Sequence, residues 1–133
     1  MSTTTGFVLF LVLTVSLLGV VVVTGRTGRR RAHLATVITT VLSLGITIWF
    51  AEQLGELYDL ESAGWITPVH LLIAKITVFA YLPPIITGWL TFRGRQGLRK
   101  IHARFAYLVL LLTVLTAVTG TAMILSADPI AAG

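Results

Sequence analysis

The sequence predicts an all-α, polytopic membrane protein, a bundle of four transmembrane helices with both termini outside. Three observations predict it. Of the 133 residues 56% are hydrophobic and only 11% charged, with a mean hydropathy of +0.93, whereas a soluble domain carries roughly a quarter of its residues as charge. Apolar runs near the length that crosses a bilayer recur four times, separated by short polar segments. The charges also segregate by sign. Nine of the ten basic residues lie in 26–31 and 93–104, and all five acidic residues lie in the intervening loop or the C-terminal tail. The positive-inside rule then puts the two basic loops in the cytoplasm and the N-terminus, acidic loop and C-terminus outside. A single membrane domain over 1–133 is the expected organisation.

The first helix is expected over about 6–25 (GFVLFLVLTVSLLGVVVVTG), a charge-free run matching the roughly 20 residues that span a hydrocarbon core of about 30 Å. No basic residue precedes it and a basic cluster follows, the reverse of a signal peptide, so it is expected to stay in the mature chain. Arg26, Arg29, Arg30 and Arg31 form the first basic loop. Helix 2 is expected over about 32–58, its last residues forming an amphipathic extension. His33, Thr36, Thr40, Leu44, Thr47 and Ala51 share one face of it at 100° per residue.

Glu52, Glu56, Asp59 and Glu61 make the second loop acidic, and helix 3 follows over about 65–92. His70, Ala74, Thr77, Tyr81 and Gly88 form one of its faces, while Pro83-Pro84 removes two backbone donors and predicts a kink. Lys75 lies among bulky apolar residues and is read as snorkelling to the outer headgroups. Trp49, Trp65 and Trp89 fall near span ends, as an aromatic belt requires. Arg93, Arg95, Arg99 and Lys100 form the second basic loop, and helix 4 runs over about 100–126. On it His102, Ala106, Val109, Thr113, Thr116 and Gly120 make a stripe of small, mildly polar residues, the kind that faces other helices in lipid.

With no cysteine, disulfides, thiolate metal sites, thiol catalysis and covalent haem attachment are excluded. No Gly-rich phosphate loop, His-Glu-x-x-His or hydrolytic triad spacing is present, and no acid lies deep enough in a span for a proton relay. The basic loops are short and adjoin spans, so anionic lipid and not nucleic acid is the expected contact.

The chemistry that remains lies in the histidines. His33 and His102 each stand just inside a basic loop, at one membrane depth, and each heads an inward stripe. Two imidazoles so placed suit the axial positions of a b-type haem in a bundle core. Arg30, Arg31, Arg99 and Arg104 are positioned to pair with its propionates. His70 enters from the opposite side, roughly 15–20 Å away in depth, and is a candidate for a second haem, a quinone contact or a metal ion. Against this stands a structural role: interfacial histidines serve as polar anchors, and intramembrane ones bond a threonine on the next helix.

The run His70-Leu71-Leu72-Ile73-Ala74, the pair Pro83-Pro84, Gly88, Phe92-Arg93-Gly94-Arg95, Lys100-Ile101-His102-Ala103-Arg104 and Thr119-Gly120 resemble the small membrane family typified by the CtaM terminal-oxidase assembly factors. Arg29-Arg30-Arg31-Ala32-His33 is similar to that family's earlier helix start. The resemblance covers roughly 29–126 and implies a helical bundle serving assembly of a haem-copper oxidase. The histidine-led helix starts and closing Thr-Gly also resemble transmembrane diheme b-type cytochromes and parts of haem A synthase, although this chain has one histidine too few for two bis-histidine haems. The expected function is therefore b-type haem binding in respiratory electron transfer or haem handling in a bacterial-type inner membrane, with His33 and His102 as ligands. The alternative is a non-catalytic assembly or scaffolding factor for a terminal oxidase. Neither is a stand-alone enzyme; partner subunits of a respiratory complex, a quinone or a second copy of the chain are the expected contacts besides the bilayer.

Overall fold

Long apolar runs can satisfy their backbone polar groups without water only by closing them into helices, and the chain does so four times. The computed structural model describes residues 2–130; residue 1 and residues 131–133, the ends of the expected domain, lie outside the described residues. Helix α1 spans Thr3–Arg26, α2 Arg30–Gly55, α3 Ile66–Ala80, α4 Leu82–Phe92 and α5 Arg99–Ser126. Taking α3 and α4 as one span, four helices are long and apolar enough to cross a membrane. The chain divides into two compact units, one formed by the residues up to Asp59 with the segment from Asp128, the other by Leu60–Ala127.

In the first unit α1 and α2 form an antiparallel hairpin. Helix α1 begins three residues earlier than expected because Ser2 caps it, its hydroxyl accepting from the Thr5 N–H at 3.2 Å. It ends before Gly28, whose φ of 70° turns the chain into α2. Thr14 is 1% exposed, and its hydroxyl bonds those of Ser43 at 2.8 Å and Thr47 at 3.1 Å. Thr40, Ser43 and Thr47 are all buried, so the threonine stripe expected on the second helix does face a partner. At the far end of the hairpin Phe50 lies against Gly6 and stacks on Phe10 at 5.8 Å.

The second helix stops at Gly55 instead of running to residue 58. Glycine is a poor helix former, and the following segment has other partners: strand β1, Tyr58–Asp59, pairs antiparallel with β2, Asp128–Pro129, and the Ile130 N–H donates to the Leu57 carbonyl at 3.0 Å.

In the second unit α5 packs antiparallel to α3 and α4. The kink expected at Pro83-Pro84 is a break. Helix α3 ends at Ala80, Tyr81 makes a turn, and the prolines occupy the first turn of α4, where their missing N–H groups cost nothing. The Tyr81 hydroxyl bonds Thr113 at 2.9 Å, and Thr77 bonds Thr116 at 2.9 Å. Val109 and Thr113 are buried, while Leu108, Leu111 and Leu115 are exposed, as the stripe on the last helix requires. Gly94, with φ 106°, and the 3-10 turn Gln96–Leu98 join α4 to α5. Trp49, Trp65, Trp89 and Lys75 are all exposed, and Arg93 lies over the Trp89 ring at 5.0 Å.

Candidate functional site: three glycine-backed imidazoles

His33 is the fourth residue of α2 and His102 the fourth residue of α5. An arginine, Arg30 or Arg99, opens each helix three residues earlier, a separation that keeps guanidinium and imidazole on one face. Arg31 and Arg104 flank the same two histidines, and all four arginines are exposed. His70, the fifth residue of α3, has Thr67 at the corresponding offset. All three imidazoles are half-buried.

Each ring meets a threonine of the neighbouring helix, and those of His33 and His102 also meet a backbone carbonyl. The Nδ1 of His33 lies 3.2 Å from the Val21 carbonyl and 3.2 Å from the Thr24 hydroxyl of α1. The Nδ1 of His102 lies 3.1 Å from the Pro84 carbonyl and 3.3 Å from the Thr87 hydroxyl of α4. A carbonyl oxygen only accepts, so Nδ1 carries the proton in both. The threonines agree: Thr24 donates to Val20 at 2.8 Å and Thr87 to Pro83 at 2.7 Å, leaving each oxygen to accept from the imidazole. The Nδ1 of His70 lies 3.0 Å from the Thr119 hydroxyl of α5, which also lies 2.9 Å from the Leu115 carbonyl. In a neutral imidazole the carbonyl bonds of His33 and His102 place the lone pair on Nε2, the tautomer in which that nitrogen can bind a metal.

A glycine backs each ring. A Cβ at Gly25 would stand 3.2 Å from the His33 Cε1, one at Gly88 3.0 Å from that of His102, and one at Gly120 2.7 Å from that of His70. Each ring therefore occupies space that a side chain on the partner helix would fill. The residues of the seat form the dipeptides Thr24-Gly25, Thr87-Gly88 and Thr119-Gly120; Thr-Gly also stands at Thr5-Gly6, whose glycine meets Phe50, and at Thr27-Gly28, whose glycine has nothing within 4 Å. No known family, characterised protein or solved structure matches this chain. The recurrence is therefore read from its own residues.

In the second unit the repeat is reciprocal. Thr87-Gly88 begins seventeen residues after His70, and Thr119-Gly120 begins seventeen after His102. Two antiparallel helices of equal spacing bring each histidine onto the other's Thr-Gly, so both seats close only because the spacings match. The first unit has one seat; its other end is filled by Phe50 against Gly6. Gly120 lies eighteen residues beyond His102 on α5, so the two seats of the second unit are about 27 Å apart along that helix at 1.5 Å per residue.

The seats of His33, and of His102 with His70, lie within their own units. Reading the sequence for histidines and arginines missed Thr24, Gly25 and Thr87, which hold the rings; the Thr-Gly pairs were a partial signal, three of five meeting an imidazole. Among the described residues no cluster of three or more His, Cys, Asp or Glu is arranged to hold a bare metal ion.

Proposed function

We propose that this chain is an integral membrane haem protein of respiratory electron transfer or haem handling, in which His33 and His102 supply axial Nε2 ligands to b-type haem. The observation that carries the reading is the shared build of the two seats: an Nδ1–H held by a backbone carbonyl and a threonine, with a glycine against the ring. An imidazole that ligates through Nε2 normally has its Nδ1–H fixed by an outer acceptor, and both seats supply one; the threonine bonds alone equally suit helix packing. Arg30, Arg31, Arg99 and Arg104 are the candidate partners of the propionates. Bound haem supplies a one-electron couple; the chain's own part is to fix two imidazole tautomers and to offer cationic groups beside them.

The four apolar spans and the segregated charges support a multi-pass protein of the bacterial cytoplasmic membrane with both basic turns on the cytoplasmic side. In that orientation His33 and His102 lie near the cytoplasmic face and His70 near the outer one.

The test is the reduced-minus-oxidised visible spectrum of the chain purified in detergent from haem-replete cells. A sharp low-spin b-type spectrum is expected in the wild type, and its loss in His102→Ala, because removing one axial imidazole opens a position on the iron. An unchanged bis-histidine spectrum in that variant would sink the assignment. A chain that stays colourless through titration with hemin would leave the imidazoles as packing groups and make assembly of a haem-copper terminal oxidase the favoured reading.

A further inference from the structure

The two hairpins are built to one register, so the places where they differ are informative. Thr14, Val21, Thr24 and Gly25 of α1 each stand 63 positions before Thr77, Pro84, Thr87 and Gly88, and His33 and Thr47 of α2 each stand 69 before His102 and Thr116. The contacts correspond pair by pair. Thr14 bonds Thr47 at 3.1 Å as Thr77 bonds Thr116 at 2.9 Å, and the His33 Nδ1 lies 3.2 Å from the Val21 carbonyl as that of His102 lies 3.1 Å from the Pro84 carbonyl. Within this matched frame Leu18, Val20 and Val21 of the first hairpin give way to Tyr81, Pro83 and Pro84 in the second. Helix α1 runs unbroken beneath its seat, whereas α3 stops at Ala80 and the seat of His102 stands on α4, a separate helix.

The break ties α4 only weakly to α3. Pro83 and Pro84 donate nothing, so the carbonyls of Phe79 and Ala80 lose the donors that a continuous helix would bring them. Backbone bonds across the turn run through Tyr81, whose N–H reaches the Val78 carbonyl at 3.3 Å and whose carbonyl accepts from Ile85 at 3.3 Å. No residue of α4 is buried, whereas Thr14 and Leu18 of α1 and Thr77 of α3 are, and little burial marks a segment of low local stability. Beside the turn the Tyr81 hydroxyl holds Thr113 of α5 at 2.9 Å, where the first hairpin has the apolar residues Leu18 and Leu44. We propose that Tyr81 is a hinge latched by its own hydroxyl, about which α4 swings as a rigid segment, releasing His102 from Pro84 and Thr87 while His33 stays seated on α1. Hinges of this kind place the backbone change in a few residues at the ends of elements. Thr87 lies six residues beyond Tyr81, about 9 Å, so a swing of about 10° away from α5 moves it by about 1.6 Å. Its 3.3 Å bond to His102 then passes out of range. Under the function proposed above, His102 would be the exchangeable ligand; the hinge itself does not depend on that reading.

The experiment is residue-resolved hydrogen exchange, by NMR, of the full-length chain in detergent. Equivalent positions stand equally far along their helices from a histidine seat, so access of water through the micelle is alike and the comparison isolates the backbone. In the wild type the Tyr81 and Ile85 amides are expected to exchange roughly tenfold or more faster than the Leu18 and Val22 amides, and the His102 Nδ1–H faster than that of His33 by a similar factor. The Thr87 and Gly88 amides, whose bonds lie inside α4, should exchange no faster than those of Thr24 and Gly25. Tyr81→Phe removes only the latch hydroxyl; it should speed Ile85 and the His102 ring proton about threefold, the worth of one interhelical bond, and leave Val22 and His33 unchanged. Pro83→Val together with Pro84→Val copies α1 and should slow both probes to the rates of Val22 and His33. Equal wild-type rates at Ile85 and Val22, or at the two ring protons, would overturn the hinge. Exchange at Thr87 and Gly88 as fast as at Ile85 would do the same, because α4 would then be unfolding and not swinging. If Tyr81→Phe speeds exchange throughout both hairpins alike, the bond to Thr113 is a packing contact and not a latch.

Discussion

Replacing the three seat glycines by alanine should produce a graded effect whose order follows from geometry. Carbon contacts are ordinary from 3.4 Å outward, and the added methyl would stand 2.7 Å from the His70 Cε1 in Gly120→Ala, 3.0 Å from that of His102 in Gly88→Ala and 3.2 Å from that of His33 in Gly25→Ala. The rings must then retreat by about 0.7, 0.4 and 0.2 Å to restore normal contact. A retreat of about 0.7 Å takes the 3.0 Å bond between His70 and Thr119 beyond the distance at which a hydrogen bond holds. Overpacking costs about 1–3 kcal/mol and a lost interhelical bond about 0.6 kcal/mol, while alanine gains about 1 kcal/mol over glycine within a helix. Gly120→Ala is therefore expected to destabilise by about 1–2 kcal/mol, and Gly25→Ala to be close to neutral. Gly19→Ala and Gly45→Ala, where nothing lies within 4 Å, should be neutral or stabilising. Circular dichroism during unfolding with a denaturing detergent measures the series. If Gly120→Ala proves as stable as Gly45→Ala, the imidazole is not held against that glycine.

The buried hydroxyl group of the first unit should couple: a double-mutant cycle of Thr14→Val with Ser43→Ala, read by the same unfolding assay, is expected to show about 0.6 kcal/mol between the two sites. Since Gly94 has φ 106°, Gly94→Ala should cost about 1–2 kcal/mol and loosen the basic turn, seen as faster proteolysis between α4 and α5. With no native cysteine, Ser2→Cys and Gln96→Cys give clean topology probes; an impermeant maleimide added to intact cells is expected to label position 2 and spare position 96, and the reverse pattern would invert the orientation.

The spans were legible because a run of about 20 apolar residues has one stable solution in lipid; at Pro83-Pro84 a kink was legible, and the structure has a break at Tyr81 instead. Stripe residues such as Thr40, Thr47, Val109 and Thr113 were legible from periodicity, and all four are buried. The partners of the histidines were not. Which threonine meets His33 or His102 depends on how far two helices slide past each other, and hydropathy is nearly unchanged by such a shift. The Thr-Gly recurrence narrows that register without fixing it, since five such pairs occur and three of them meet an imidazole. The end of α2 was misplaced for a different reason: Tyr58 and Asp59 pair with residues about seventy positions away, and helical periodicity carries no trace of such a bond.

That two-residue pairing sets an order of events during synthesis. Its first half leaves the ribosome directly after α2, but its second half follows the whole of Leu60–Ala127. At about 5–20 residues per second, the helical hairpin at the front of the chain waits roughly 3–14 s for the strand that closes it. During that interval the backbone groups of Leu57, Tyr58 and Asp59 are open to any other extended peptide, including the same stretch of a chain on the next ribosome.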